Sequence, residues 1–335
     1  MSDAEVLVEI RRGDIVECLH RGHAVVCDAS GNIRAAWGNP DQVILPRSSC
    51  KMLQALPLVE SGAAENLPSS RLALACASHE GGEAHVSGVS AWLAEQGHTQ
   101  DDLLCGAQVP WDRTERHRLR AANEKPCNLH NNCSGKHAGF VMLNDHLRGS
   151  PEYIEVDHPV QKAVRAGFEE MTGANITGWG VDGCSAPNFG TTVRGLALAM
   201  ARMADPAGLG PTRGRAAERL VGAMSSHPHL VAGEGRACTE LMEAAAGTVA
   251  VKFGAEALFT AILPAQKIGV AIKIEDGSTR GAECAIAAIL ARLGVFEADM
   301  PAVAKRLNPP ILSRSGINAG EIRPHADFWA GGAPI

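Results

Sequence analysis

The sequence lacks both a long apolar run and a cluster of basic residues. No apolar segment approaches the roughly 20 residues that a membrane-spanning helix needs. The 31 Lys and Arg residues are dispersed and outnumbered by 37 Asp and Glu, so the net charge is −6. Such a chain provides no broad positive field for a phosphate backbone. We therefore expect neither a membrane nor a nucleic acid as a partner.

Aromatic residues are scarce, at 4% of the chain, with one Tyr and seven Phe. Because 45% of the residues are nevertheless apolar, the core must be built mainly from Ala, Val, Leu and Ile. This is an ordinary globular composition. A length of 335 residues allows one or two domains.

Residues 1–5 are polar and acidic, without the basic start and apolar stretch of a secretory signal. We therefore expect a cytoplasmic protein. Its ten cysteines should then be reduced thiols rather than a disulfide framework. Most of them should be small buried core residues.

Strand-like patterns lie toward both ends of the chain, and helical periodicity lies between them. The predicted strands are residues 6–10, 15–19, 24–27, 33–37, 248–251, 258–263 and 268–274. The predicted helices are residues 48–60, 82–96, 114–123, 135–147, 159–171, 194–204 and 213–226, with another after the turn at 276–278.

This order predicts an α+β fold. Residues 1–59 and 235–335 are expected to form an antiparallel sheet with flanking helices, and residues 60–234 an inserted helical subdomain. We expect the Gly- and Pro-rich tail after Arg314 to be poorly ordered.

The most concentrated chemistry lies in residues 131–139. A thiol, a hydroxyl, an amine and an imidazole, those of Cys133, Ser134, Lys136 and His137, precede an apolar helical pattern. This favours a functional loop that opens a core helix. The alternative is an ordinary helix start, with Ser134 as its N-cap.

A Ser-x-x-Lys pattern begins another predicted helix, at Ser48 and Lys51. The three-residue offset puts both side chains on one face, whereas Ser49 points away. A lysine with a lowered pKa can deprotonate a serine. The alternative is that Ser48 only caps the helix.

Ser78 lies between an apolar run and a predicted helix, where it could relay a proton from Lys51 or merely cap the helix. The adjacent His79 and Glu80 point in different directions, so we expect them around the site rather than in the reaction. Lys252 begins the second strand-rich region, in a Lys-x-Gly pattern that places a cation beside a serine nucleophile in some enzymes. It could equally be a solvated strand end.

Asp182 and Cys184 share a turn broken by Gly and Pro. Together with Cys133 they would supply three anionic ligands of kinds that zinc accepts. The competing interpretations are a pair of buried thiols, or a local zinc cluster of Cys127, His130, Cys133 and His137.

Glu234 and Arg236 are flanked by glycines just before a predicted helix. An arginine there could hold a substrate carboxylate through two hydrogen bonds, or it could form a structural ion pair. We place four residues in the predicted substrate-binding shell: Arg47, His137, Glu234 and Arg236.

In chain order these motifs resemble the asparaginase II family, the zinc-carrying class 3 of L-asparaginases. They are S-x-x-K at 48–51, C-A-S-H at 76–79, H-N-N-C-S-G-K-H at 130–137, D-G-C at 182–184, V-A-G-E-G-R at 231–236, K-x-G at 252–254 and K-I-E-D-G at 273–277.

The resemblance implies a fold similar to serine β-lactamases and penicillin-binding proteins, a homodimer, and hydrolysis of L-asparagine to L-aspartate and ammonia. It implies Ser48 as the nucleophile, Lys51 as its base, and Ser78 with Lys252 as a second Ser–Lys pair. In place of the local cluster, it implies one zinc ion per chain with four ligands: Cys133, Lys136, Asp182 and Cys184.

Two other functions compete with asparagine hydrolysis. A glutaminase on the same fold would differ in its substrate by one methylene. A catalytically silent zinc-binding scaffold would use the Ser and Lys positions only as caps and surface charges. A β-lactamase or a cell-wall peptidase shares S-x-x-K but would ordinarily need export.

Overall fold

The computed structural model describes residues 3–330. The strands within that range are β1 (Glu5–Arg12), β2 (Ile15–Asp28), β3 (Ile33–Trp37), β4 (Val43–Ile44), β5 (Trp179–Val181), β6 (Pro187–Phe189), β7 (Thr191–Thr192), β8 (Ala250–Gly254), β9 (Leu258–Leu263), β10 (Ile268–Ile274), β11 (Pro310–Leu312) and β12 (Asn318–Pro324).

The helices in the described residues are α1 (Lys51–Glu60), α2 (Ser69–Ala75), α3 (Glu83–Glu95), α4 (Arg113–Ala121), α5 (Ser134–Leu147), α6 (Pro159–Thr172), α7 (Val193–Ala204), α8 (Pro211–Ser226), α9 (Pro228–Val231), α10 (Ala237–Ala244), α11 (Thr279–Arg292), α12 (Pro301–Leu307) and α13 (Ala326–Ala330). None of them combines the length and hydrophobicity needed to cross a bilayer.

One antiparallel sheet joins the two ends of the described chain. Its strand order is β11-β12-β1-β2-β10-β9-β8, with β3 also paired to β2. Strand β1 lies between β2 and β12, so that Ile10 stands opposite both Cys18 and Ile322. The predicted α+β fold with an antiparallel sheet is confirmed. The expectation of a poorly ordered tail after Arg314 was wrong for β12, which is a regular strand of this sheet.

The centre of the sheet is covered on both faces. Six of the seven residues of β10 are buried although neighbouring side chains point to opposite faces, and both α7 and α11 contact this strand. Gly269 allows α7 to come very close, because a Cβ there would lie 2.2 Å from the Ala201 nitrogen. Apart from Lys273, all residues of β10 are therefore apolar or glycine.

Helix α5 begins against the end of α2. A Cβ on Gly135 would lie 2.3 Å from the Leu74 carbonyl oxygen, so a larger residue would push the two helices apart. The His79 amide then donates to the Asn132 carbonyl at 3.2 Å. This contact places the segment that carries Ser78 beside the segment that carries Cys133.

Helix α6 shows why helix limits in this region follow from the sequence. Pro159 occupies its first turn, where no backbone hydrogen-bond donor is needed, and the His158 side chain accepts from the Val160 amide. The helix ends at Gly173, whose φ of 74° lies in the left-handed region that glycine tolerates.

Candidate functional site

The Ser-x-x-Lys segment forms a 3-10 turn, Arg47–Cys50, that leads into α1. Ser48 is half-buried. Ser49 is fully buried, and its hydroxyl donates to the Pro46 carbonyl at 2.6 Å. Arg47 has a φ of 52°, a strained value for a residue with a side chain. Of the two serines, Ser48 is therefore the one left open to a substrate.

Lys51 is buried, with 1% of its surface exposed. Its amine donates to the Ala77 carbonyl oxygen and, at 3.4 Å, to that of Asn132. Within residues 3–330 the Lys51 amine makes no hydrogen bond to the Ser48 hydroxyl. The amine instead ties the start of α1 to the two segments that carry Ser78 and Cys133.

Lys252 and Ser78 form a buried pair. The Lys252 amine donates to the Ser78 hydroxyl at 2.9 Å and to the Phe253 carbonyl at 2.7 Å. Burial, with further lowering by the positive charge of Lys51, brings the pKa of Lys252 down to about 7. This amine can therefore give or take a proton near neutral pH.

Strand β8 brings this pair against the Ser48 turn. A Cβ on Gly254 would lie 2.8 Å from the Ser49 nitrogen and 2.9 Å from the Pro46 carbonyl oxygen. The Ser49 carbonyl also accepts from the Thr260 hydroxyl of β9 at 3.0 Å. The edge of the sheet thus supports the turn, and only glycine fits at position 254.

Two thiols and an amine converge beside Lys51. The Lys136 amine donates to the Cys184 sulfur at 3.0 Å, and the Cys133 thiol also bonds to that sulfur. The Cys133 hydrogen bond and the Lys136 charge hold the pKa of Cys184 well below its ordinary value, although burial opposes them. The same hydrogen bond, together with burial, raises the pKa of Cys133 to about 12. These opposite shifts favour a thiol at Cys133 and a thiolate at Cys184.

Asp182 is held by Arg47 rather than by the thiols. Its Oδ1 accepts from Arg47 Nε at 3.0 Å and pairs with the Arg47 Nη2 at 2.9 Å. Burial raises the pKa of this carboxyl, but the Arg47 hydrogen bond and the Lys136 charge outweigh it and lower the pKa overall. This ion pair, which the sequence did not suggest, joins the Ser48 turn to the turn that carries Cys184.

The alternative local cluster is dispersed. Cys127 lies 3.2 Å from His130 Nδ1, while Nε2 of the same ring faces Glu115 at 3.1 Å. The His137 Nδ1 meets the Tyr153 hydroxyl at 2.9 Å. Among the described residues, Cys127, His130, Cys133 and His137 do not form a group whose ligand atoms could share an ion.

The four residues of the predicted substrate-binding shell lie in different surroundings. Arg47 is engaged with Asp182, and His137 is completely buried. The Glu234 amide donates to Glu80 Oε1 at 2.9 Å. The Arg236 guanidinium stacks on the Trp111 ring at 5.0 Å and lines a small cavity together with Ser78 and Lys252. Of the four, Arg236 is the residue that faces the Ser–Lys pair.

A second group of potential metal ligands includes Glu80, two residues after Ser78. Glu80, His85 and His229 each offer one ligand atom, and the three atoms lie within 4.8 Å of one another. Burial lowers the pKa of His85 to about 4. Sequence reasoning treated Glu80 as peripheral and missed both histidines, because His229 is far away in the chain and no motif links the three.

Hydrolases can activate a hydroxyl group with a nearby amine that loses its proton readily. The buried Lys252–Ser78 pair is a site of this kind. The sequence matches the family described as L-asparaginase II over residues 8–324, and the chain belongs to that family. The resemblance drawn from the motifs is thereby confirmed. Membership supports an amidohydrolase of the asparaginase type.

A search of curated proteins found no match. Similar solved structures include a β-lactamase from Mycobacterium bovis, 13% identical, with 81% of this chain and 94% of that chain covered and a TM-score of 0.40. A protein described as Mglu in its native form is 15% identical, with 84% and 66% covered and a TM-score of 0.43. Likenesses this remote carry no argument about what the chain binds or does.

Proposed function

We propose that this chain is an L-asparaginase, which hydrolyses the side-chain amide of L-asparagine to L-aspartate and ammonia. The observation that carries the proposal is the hydrogen bond from Lys252 to Ser78, made by an amine with a pKa of about 7 beside the Ser48 turn. Family membership supports the same class of reaction.

The proposed reaction is an acyl transfer through a serine ester. The Ser48 hydroxyl loses its proton to Lys51, whose amine would first have to leave the Ala77 and Asn132 carbonyls, and attacks the amide carbon. Backbone N–H groups near Ser48 and Gly254 stabilise the oxyanion. Ser78 and Lys252 deliver a proton to the leaving nitrogen, which departs as ammonia. A water molecule then hydrolyses the β-aspartyl ester and restores the Ser48 hydroxyl.

Arg236 is the best placed of the four predicted binding residues to hold the substrate's α-carboxylate. Its guanidinium is oriented by the Trp111 ring and borders the cavity at Ser78 and Lys252. A guanidinium forms two parallel hydrogen bonds to a carboxylate. Arg47, His137 and Glu234 remain predictions for the rest of the shell.

We also propose that one zinc ion binds Cys133, Lys136, Asp182 and Cys184. The convergence of the two thiols and the Lys136 amine fits this ion, since zinc favours thiolate ligands. Lys136 would have to lose a proton, and Asp182 would have to share its carboxylate with Arg47 and move toward the sulfurs, because among the described residues the ligand atoms of Cys133, Asp182 and Cys184 do not all lie within 4.8 Å of one another. Four protein ligands leave no open position, so the ion would organise the pocket rather than activate water.

Replacing Cys133 by alanine should remove zinc and raise KM for asparagine. It should lower the free energy of unfolding only slightly. Loss of a hydrogen-bond partner of a metal ligand typically weakens metal binding by roughly 10- to 100-fold. Loss of the ligand itself should weaken zinc binding by more. Metal analysis, steady-state kinetics and urea unfolding measure the three effects. Cys127→Ala is the matched control and should keep its zinc. Normal kinetics after metal loss would contradict an organising role.

Ammonia release from L-asparagine and from L-glutamine, measured side by side, tests the substrate. We expect kcat/KM for asparagine to be higher by about 10- to 200-fold, the range that one methylene allows. Faster turnover of glutamine would favour the glutaminase. Bound zinc without ammonia release from either amide would favour a silent scaffold.

The homodimer and the cytoplasmic location are further parts of the proposal. Light scattering on the purified full chain measures the first, and fractionation of cells that produce it measures the second. A monomer at micromolar concentration would count against the homodimer.

A further inference from the structure

The group formed by Glu80, His85 and His229 is built from three separate elements. Glu80 follows the segment that carries Ser78, His85 lies in the first turn of α3, and His229 lies in α9. One potential ligand atom from each lies within 4.8 Å of the other two. The set contains two imidazoles and one carboxylate and no sulfur, so it is chemically unlike the Cys133–Cys184 pair.

One ring nitrogen of His85, Nδ1, has a lone pair that could bind a metal ion. The residue is completely buried, and its Nε2 lies 3.0 Å from the His229 carbonyl oxygen. Because a carbonyl can only accept, Nε2 carries the hydrogen and Nδ1 has the lone pair. Within residues 3–330 the buried Nδ1 has no hydrogen-bond partner. Metal-binding imidazoles commonly donate their other N–H to a backbone carbonyl in the same way.

The neighbouring cleft favours a cation. Its volume is about 730 Å³, and His229 is exposed at its surface, which gives an ion a route to the group. Carboxylates outnumber basic groups in its lining. The charged side chains there are Glu80, Glu83, Asp112, Glu115, Arg118 and Glu234.

The Glu80 carboxylate can still bind a metal ion. Its Oε1 accepts the Glu234 amide hydrogen at 2.9 Å, and a carboxylate has further lone pairs for a metal. That hydrogen bond also fixes the position of the carboxylate. The same type of orientation supports ligands in metal sites.

We propose that Glu80, His85 and His229 bind one divalent transition-metal ion, such as Zn²⁺ or Co²⁺, at a site separate from Cys133, Lys136, Asp182 and Cys184. Two imidazole nitrogens and one carboxylate oxygen suit such ions. The ion would connect the segment that carries Ser78 with α9, whose Val231 carbonyl already accepts the Ser78 amide hydrogen at 2.9 Å. The proposal does not depend on the asparaginase activity.

The competing interpretation is packing alone. The His85 ring stacks on His79 at 4.7 Å between ring centres and on His229 at 5.2 Å. Stacked neutral imidazoles would hold the segments together without an ion. The experiment therefore counts bound metal rather than measuring stability.

The test is a titration of the metal-free full chain with Co²⁺, with bound cobalt measured by elemental analysis after gel filtration. Thiolate ligands give cobalt an intense charge-transfer absorption, whereas imidazole and carboxylate ligands do not. His229→Ala and Glu80→Gln should each bind one cobalt fewer than wild type without losing any charge-transfer absorption. His146→Ala, an exposed histidine at the end of α5, is the matched control and should bind as wild type does.

Cys184→Ser is the complementary variant, because it removes a ligand of the thiol site and leaves Glu80, His85 and His229 unchanged. It should lose the charge-transfer absorption and still bind one cobalt per chain. Equal cobalt content in His229→Ala, Glu80→Gln and His146→Ala would overturn the proposal. So would a folded Cys184→Ser protein, checked by circular dichroism, that binds no cobalt. The charge-transfer signal reports only on the thiol site, so failure of the proposed zinc site would be seen separately.

Discussion

Replacement of Ser48 by alanine is expected to lower kcat for L-asparagine by about 10⁶-fold, the loss found when a serine nucleophile is removed. Ser48 is half-buried on a strained turn that packs closely against Gly254. The Ser48 hydroxyl is not one of the proposed zinc ligands, so the metal content should not change. Ammonia release and metal analysis on the same preparation measure both quantities.

Ser49→Ala is the matched control for this substitution. The Ser49 hydroxyl is occupied by the Pro46 carbonyl at 2.6 Å, so its loss should affect stability slightly and leave the reaction intact. A quenched reaction should show a β-aspartyl adduct on the peptide that contains Ser48. If the adduct lies on Ser78 instead, and Ser48→Ala remains active, then Ser78 is the nucleophile and Lys252 its base.

Removal of the Lys252 amine should have the second largest effect. Lys252→Ala should lower kcat by about 10²- to 10⁴-fold, the usual contribution of a proton-transfer group. Because burial lowers the pKa of Lys252 to about 7, the amine is neutral above that pH and charged below it. Because the proposed reaction needs the charged amine to deliver a proton to the leaving nitrogen, kcat/KM of the wild type should be level below about pH 7 and fall tenfold per pH unit above it.

Lys252→Arg separates charge from proton transfer. Arginine keeps the positive charge but cannot lose its proton, so this variant should be as slow as Lys252→Ala. Lys267→Ala removes an exposed lysine paired with Asp205 and should keep the wild-type rate and pH profile. A wild-type profile that stays flat between pH 5.5 and 8.5, or an active Lys252→Arg, would exclude Lys252 as the proton carrier.

Periodicity predicted the regular helices and strands well because packing follows it closely. The expected helix at 159–171 is α6, Pro159–Thr172, and the expected strand at 268–274 is β10, Ile268–Ile274. Both have clear ends, a proline and a glycine in the first case and turns in the second. Such local signals need no knowledge of the rest of the chain.

Elements that depend on distant partners were missed. Strand β12 has a Gly- and Pro-containing sequence that favours no strand by itself, and its pairing with β1 creates it. Helix α2 has only seven residues, too few for a periodic pattern. The two-stranded pairs β4–β7 and β5–β6 were missed for the same reason, since their strands are only two or three residues long.

The site was predictable as a set of segments but not as a set of contacts. Motifs marked Ser78, Lys252, Lys136 and Cys184, and the structure brings Ser78 to Lys252 and Lys136 to Cys184. Ser78 and Lys252 are 174 residues apart and Lys136 and Cys184 are 48 residues apart, so spacing could not show which amine meets which group. The Arg47–Asp182 ion pair is likewise invisible in the sequence.

The position of β1 between β2 and β12 has a consequence for folding. A ribosome would release β1 and β2 early, but β12 only after nearly all the described chain has been made. Until then the outer edge of β1 exposes unpaired backbone groups, which invite pairing with other chains. Contacts between residues so far apart in sequence also form slowly. Aggregation during synthesis should therefore be most severe before β12 emerges, and chains that stop short of it should need chaperones to remain in solution.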